Sequence, residues 1–308
     1  VQTCVRCHVG DAEHEVNHDL IAAGHPRLFF EFAAYQRLEP RHWSPQGKAE
    51  AAADFTARSW SVGQAETLAA VAELLVTRAE RAHDAAAAGA ARRWPEFAEF
   101  DCYSCHRTLS ADTTATGWEP PLERPRPGQP SWQPWQVAGS RLLRAAMEGP
   151  VSPAGTSVAN LERNAIDIQS LLDTQWAAAD RERLDRVLLE ARGLAVAARR
   201  VAVEIDGRQL ISVDASHATL DAITQAHPRD WRTWDAAVQM YLALEAGRHG
   251  GPATIGAWRS QGPAVSASSA ASRQSLDDLR ASLRFPPSAD TPGPFDPRGF
   301  QHRRRGVP

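Results

Sequence analysis

Phe55-Thr-Ala-Arg-Ser-Trp-Ser-Val62-Gly-Gln-Ala-Glu-Thr-Leu68-Ala-Ala-Val71-Ala-Glu-Leu-Leu75-Val76 sets the fold class. Its apolar residues return at three- and four-residue steps, the period of an amphipathic helix, and not at the two-residue step of a strand. The pattern runs over Ala49–Ala88 and predicts one long helix, which fades into an alanine-glycine stretch over Ala85–Ala91 before Trp94-Pro95.

Towards the N-terminus, Asp19–Leu38 is expected to be mostly helical, with Pro26 as a break or first-turn residue. Towards the C-terminus, Glu96–Phe100 predicts a short turn. Gly117–Pro134 then holds Pro120, Pro121, Pro125, Pro127, Pro130 and Pro134, a density that fits a stiff linker or a strap laid over a surface. Helical spacing resumes beyond it, over Gln136–Met147, Val158–Ala178, Arg181–Glu204, Asp214–Gln225, Asp230–Ala246 and about Ser272–Leu283. Asp180 and Asp230 suit N-caps, and Gly207 and Gly247 suit stops. Alternating strand patterns are almost absent, so the expected fold is all-α. Four divisions are expected: 1–110, a linker or strap over 111–135, a bundle-like helical domain over 136–284, and a Pro/Arg-rich tail over 285–308.

Composition narrows the function classes. With 308 residues, 43% hydrophobic and 23% charged, the chain can bury a core. Apolar stretches such as Leu68–Val76 are too short to span a bilayer, so no membrane span is expected. A formal charge of −3 disfavours nucleic acid as a partner. The sequence starts at Val1 with neither an initiator Met nor a signal peptide and is read as processed or truncated.

The cysteines carry the chemistry. They fall as Cys4-Val-Arg-Cys7-His8 and Cys102-Tyr-Ser-Cys105-His106, so two copies of C-x-x-C-H use all four. The spacing has a physical reason: two thiols add across the two vinyl groups of a haem, and the adjacent imidazole is held beneath the iron. His8 and His106 are thus the expected proximal ligands of two covalently attached haem c groups. A zinc ribbon sets its cysteine pairs about 15–20 residues apart, far closer than Cys7 and Cys102. A thioredoxin-like motif needs a strand–helix–strand setting, which neither copy has.

The sixth ligand decides whether an iron only moves electrons or also binds substrate. Only Met147 and Met240 could supply a thioether, both outside the motif segment, and Lys48 is the single lysine. Histidine is plentiful. His14, His18 and His25, spaced by four and seven, would share a face of a continuous helix. His25 sits between Gly24, which allows close backbone approach, and Pro26, which fixes the chain direction. His18 and His25 are the expected distal ligands and His83 the reserve. Arg27 could pair with a haem propionate. Residues 1–110 carry 11 basic and 15 acidic side chains, a weak pull towards basic redox partners.

Three stretches together resemble the bacterial multihaem cytochrome c family, the cytochrome-c-554-like proteins of planctomycetes and similar bacteria. They are Cys4–His8, Asn17-His-Asp-Leu-Ile-Ala-Ala-Gly-His-Pro-Arg-Leu-Phe-Phe-Glu-Phe32, and Trp94-Pro-Glu-Phe-Ala-Glu-Phe-Asp-Cys-Tyr-Ser-Cys-His106. The likeness covers about the first 110 residues. It implies an exported, periplasmic or extracellular, α-helical electron carrier with largely bis-histidine haems, often with further C-x-x-C-H motifs upstream. Expected partners are redox proteins, including other multihaem cytochromes or copies of itself. Two readings compete with a free carrier: a haem enzyme with one open iron, acting on nitrogen oxides or peroxide, and a structural subunit of a larger electron-conducting assembly.

Overall fold

The computed structural model describes residues 1–25, 30–38, 55–88, 94–100, 132, 139–144, 155–174, 181–207, 234–248, 267–284 and 297–304. Among these the fold is all-α, and the single β feature is an isolated antiparallel bridge between Phe100 and Trp132. The helices are α1 (Gln2–His8), α2 (His18–Ala22), α3 (Phe32–Leu38), α4 (Phe55–Ala87), α5 (Gly155–Thr174), α6 (Arg181–Asp206), α7 (Trp234–Arg248), α8 (Ala267–Ser282) and α9 (Pro297–Arg304). A 3-10 turn, Phe97–Glu99, and a helical stretch at 139–144 complete them.

The long periodic pattern does form one 33-residue helix, α4. It lies along α6, and α6 lies along α5. Leu75, Leu161, Ile168, Leu172 and Leu194 are fully buried in the shared core. Burying each such side chain stabilises the fold by roughly 1.5–3 kcal/mol. Ala65, Ala69 and Ala72 on α4 and Ala191, Ala195 and Ala198 on α6 belong to the same core, where small side chains let the two backbones approach. Ion pairs border the seam: Arg199 reaches Glu73 (2.6 Å) and Glu66 (2.9 Å), and Arg192 reaches Glu80 (2.6 Å).

A second core joins Trp60 of α4 to Leu142, Met240 of α7, Leu276 and Leu279 of α8, and Phe300 of α9. Met240 is fully buried there. Val62, Leu68 and Leu75, from the expected 1–110 division, share a core with Val158 and Val187 from the expected rear domain. The boundary near residue 110 therefore does not separate two cores.

Several element limits differ from expectation. α5 starts at Gly155, three residues early, and α8 at Ala267, five residues early. Gly207 does stop α6, its amide donating to the Val203 carbonyl at 3.0 Å, whereas Gly247 falls inside the last turn of α7. The expected Pro/Arg-rich tail over 285–308 contains α9. Pro297 at its first position, where no amide is needed, and one buried anchor, Phe300, hold it on α7 and α8. The expected helix Asp214–Gln225, the cap candidates Asp180 and Asp230, and nearly all of the proline-rich segment lie outside the described residues; Trp132, within the 111–135 division, is fully buried.

Candidate functional site

The first C-x-x-C-H motif occupies α1. Cys7 follows Cys4 by three positions, so the two stand about one turn apart on the same side of the helix. Cys4 is half-buried, Cys7 is exposed, and both are free thiols. Val5, fully buried between them, anchors the helix against Phe30, Phe32 and Ala70. Gln2 Nε2 donates to Glu66 Oε1 on α4 at 3.3 Å.

His8 ends α1 against an aromatic wall. Its ring stacks on Phe30 with centroids 4.9 Å apart and planes 11° from parallel, and meets the edge of Tyr35 at 5.3 Å. Phe30 and Tyr35 hold each other at 4.9 Å. The wall is placed by α3, which crosses α4 where Gly63 lies: a Cβ there would stand 2.6 Å from Phe32 Cβ. Only glycine permits that crossing.

The turn after α1 is fixed just as closely. The amides of Val9 and Gly10 both donate to the Val5 carbonyl, at 2.9 and 3.1 Å. Gly10 has φ +121°, and a Cβ would stand 2.8 Å from the His14 carbonyl oxygen, so glycine is required twice over. Asp11 then gathers the loop, accepting from Arg6 Nε and from the amides of Glu13 and His14, all at 2.9 Å. His14 Nδ1 lies 2.9 Å from the same carboxylate. The Arg6 hydrogen bond, followed by the Glu13 amide and the His14 ring, holds the Asp11 carboxyl well below its usual range.

Asn17 caps α2, its Oδ1 accepting the Leu20 amide at 2.9 Å. α2 runs for five residues only. It ends in a Schellman arrangement: His25 N donates to Leu20 O, Gly24 N donates to Ile21 O, and Gly24 takes φ +105°. Gly24 therefore serves the helix stop, and a Cβ there would meet nothing within 4 Å. His14, His18 and His25 consequently do not share one helix: His14 lies in the preceding bend, His18 opens α2 and His25 follows its end. In the stretch expected to be mostly helical over Asp19–Leu38, the chain leaves the helix at Ala23–Gly24 for the same reason, while Pro26, the expected break, lies outside the described residues.

His18 is tied to the approach to the second motif. Its amide donates to Glu96 Oε1 at 3.0 Å and its ring meets the edge of Phe97 at 5.3 Å. A buried charge cluster locks this region to α4. Arg78, 6% exposed, pairs with Glu15 at 2.9 Å and with Glu99, which is 4% exposed. Glu99 also accepts from Trp132 Nε1 at 3.2 Å, and Arg81 pairs with Glu15 at 2.7 Å. Burial pulls the Arg78 guanidinium down, but Glu99 and Glu15 outweigh it, and its pKa rises above the usual value. His83, in the last turns of α4, lies 3.9 Å from both Asp84 and Asp185.

Sequence reasoning did not single out Phe30, Tyr35, Glu15, Arg78, Glu96 or Glu99. One local signal existed: Arg78 sits between Leu75 and Ala82 on the apolar stripe of α4, where a charge needs a buried partner. Cys102, Cys105, His106 and Arg27 lie outside the described residues. Among the described residues, no group of three or more histidine, cysteine, aspartate or glutamate side chains gathers as a metal site. No family, curated protein or solved structure matches this chain. What the site can do rests on its own donors: two accessible thiols one helical turn apart and an imidazole at the helix end, backed by aromatic rings.

Proposed function

We propose that this chain is an exported two-haem c-type cytochrome that carries single electrons between redox partner proteins. The carrying observation is that all four cysteines fall in two C-x-x-C-H motifs. The geometry of the first copy supports it, because free thiols at Cys4 and Cys7 and the His8 imidazole form the donor set that covalent haem attachment needs. When bound, haem c supplies one-electron iron chemistry.

The chain's own residues hold and shield. Cys4 and Cys7 would anchor one haem and Cys102 and Cys105 the other, with His8 and His106 as the proximal ligands. Phe30 and Tyr35 fix the plane of the His8 ring and keep water from one side of it. His18 and His25 are the proposed further iron ligands, with His83 in reserve, and Arg27 would supply a guanidinium to pair with a propionate. His18, packed on Phe97 five residues before Cys102, is suited to the second motif. The acidic balance of residues 1–110 favours basic partners.

The test is an absorption spectrum of the haem-loaded protein reduced with dithionite, before and after carbon monoxide, with the intact mass counting attached haems. Two haems and unmoved low-spin bands are expected. An unmodified mass after maturation in a competent host would sink the proposal. A carbon monoxide shift worth one haem would instead favour an enzyme with an open iron.

A further inference from the structure

One face of α6 packs into the core, and among the described residues none is buried on the opposite face. That outer face carries Leu189, Val196 and Val203 at seven-residue steps, 68%, 63% and 66% exposed. With Leu20 they are the large exposed hydrophobic residues among those described. Gly193 lies on the same face, between Leu189 and Val196, and a Cβ there would touch nothing within 4 Å. A glycine inside a helix costs about 1 kcal/mol relative to alanine, and nothing within the described chain requires it.

The charges along this face differ from those facing α4. Arg192 and Arg199 are engaged with Glu80, Glu66 and Glu73. Arg186, Glu190, Arg200 and Glu204 line the opposite border of the stripe and form no hydrogen bond or ion pair among the described residues. Their order is base, acid, base, acid, which is self-complementary when the helix is reversed.

We propose that this face binds the same face of a second copy of the chain, the two α6 helices antiparallel about a two-fold axis beside Val196. Val196 meets its own counterpart, and Leu189 meets the partner's Val203. Gly193 lies against the partner's Ala197, so small residues let the backbones close in. On the border, Arg186 faces the partner's Glu204 and Glu190 faces the partner's Arg200. A parallel pairing would set Arg199 beside the partner's Arg200; in the antiparallel one Arg192 nears the partner's Arg199, and both are already neutralised by Glu80, Glu66 and Glu73 of α4. The occupant is therefore a second copy, in one orientation. The inference does not depend on haem.

Sedimentation equilibrium of the full chain over a range of concentrations tests it. A concentration-dependent dimer is expected, weak because a single-helix contact sits at the small end of stable interfaces. Val196→Glu places two carboxylates at the axis and should weaken association at least tenfold while circular dichroism stays unchanged. Arg186→Glu should weaken it several-fold, and adding Glu204→Arg should restore it, which damage confined to α6 would not do. A monomer at every concentration, a dimer indifferent to Val196→Glu, or a double variant that fails to recover would each overturn the proposal. So would a monomer that binds phosphatidylcholine vesicles through the stripe, which would assign it to a lipid surface.

Discussion

Arg78 shows what a single buried charge does to the geometry of this molecule. Its guanidinium joins Glu15, on the loop between α1 and α2, to Glu99, three residues before the second motif. Removing it leaves two carboxylates facing each other with their counter-charge reduced. Arg78→Met is expected to cost about 3–5 kcal/mol in urea unfolding, and Arg78→Met with Glu99→Gln to recover part of that loss. Glu66 behaves differently. Its side chain is 5% exposed, and burial, only partly offset by Arg199 and Gln2, pushes its carboxyl above the ordinary 4.5. A group raised on folding contributes most favourably below its unfolded value, and that contribution is lost as pH rises through the folded value. Glu66→Gln should therefore raise the thermal midpoint near pH 7, with the difference shrinking towards pH 4; a drop at neutral pH would contradict this. At this scale the C-x-x-C-H chemistry was legible because its parts are neighbours in sequence. The Arg78–Glu15 pair was not, since 63 residues separate its partners.

Among the elements, α4 and α6 were legible from their long apolar periods, which end effects barely disturb. The short ones were decided by contacts that periodicity does not encode. α2 is bounded by the Asn17 cap and the Gly24 turn, and α9 by one buried phenylalanine. Asn17→Ala should cost about 1 kcal/mol and speed hydrogen exchange at the Leu20 amide, which loses its acceptor. Gly63→Ala forces α3 away from α4 and should cost roughly 1–3 kcal/mol. Because α3 carries Tyr35, the same change should move the ring-current-shifted proton signals of His8 towards unstructured values. Unchanged His8 signals would mean that the aromatic wall does not depend on that crossing.

Across the whole molecule, a division drawn on composition gave way to packing. The proline-rich segment suggested a boundary, yet Trp132 from within it is fully buried and hydrogen-bonded to Glu99, and α4 belongs to both sides. A chain ending near residue 135 would expose Leu68, Val71 and Leu75 to water. Expressed alone it is expected to lack cooperative thermal unfolding by circular dichroism; a sharp transition would restore the two-domain picture.

The placement of α4 also fixes an order of events. The helix leaves the ribosome about 100 residues before α6, the surface it packs on. Until that later segment arrives, α4 has no completed seat, and neither do α1 and the loop that Arg78 and Arg81 clamp to it. Such long-range closure is slow. The seat of α1 thus depends on two segments far apart in the chain, while Cys7 stays exposed once they have met.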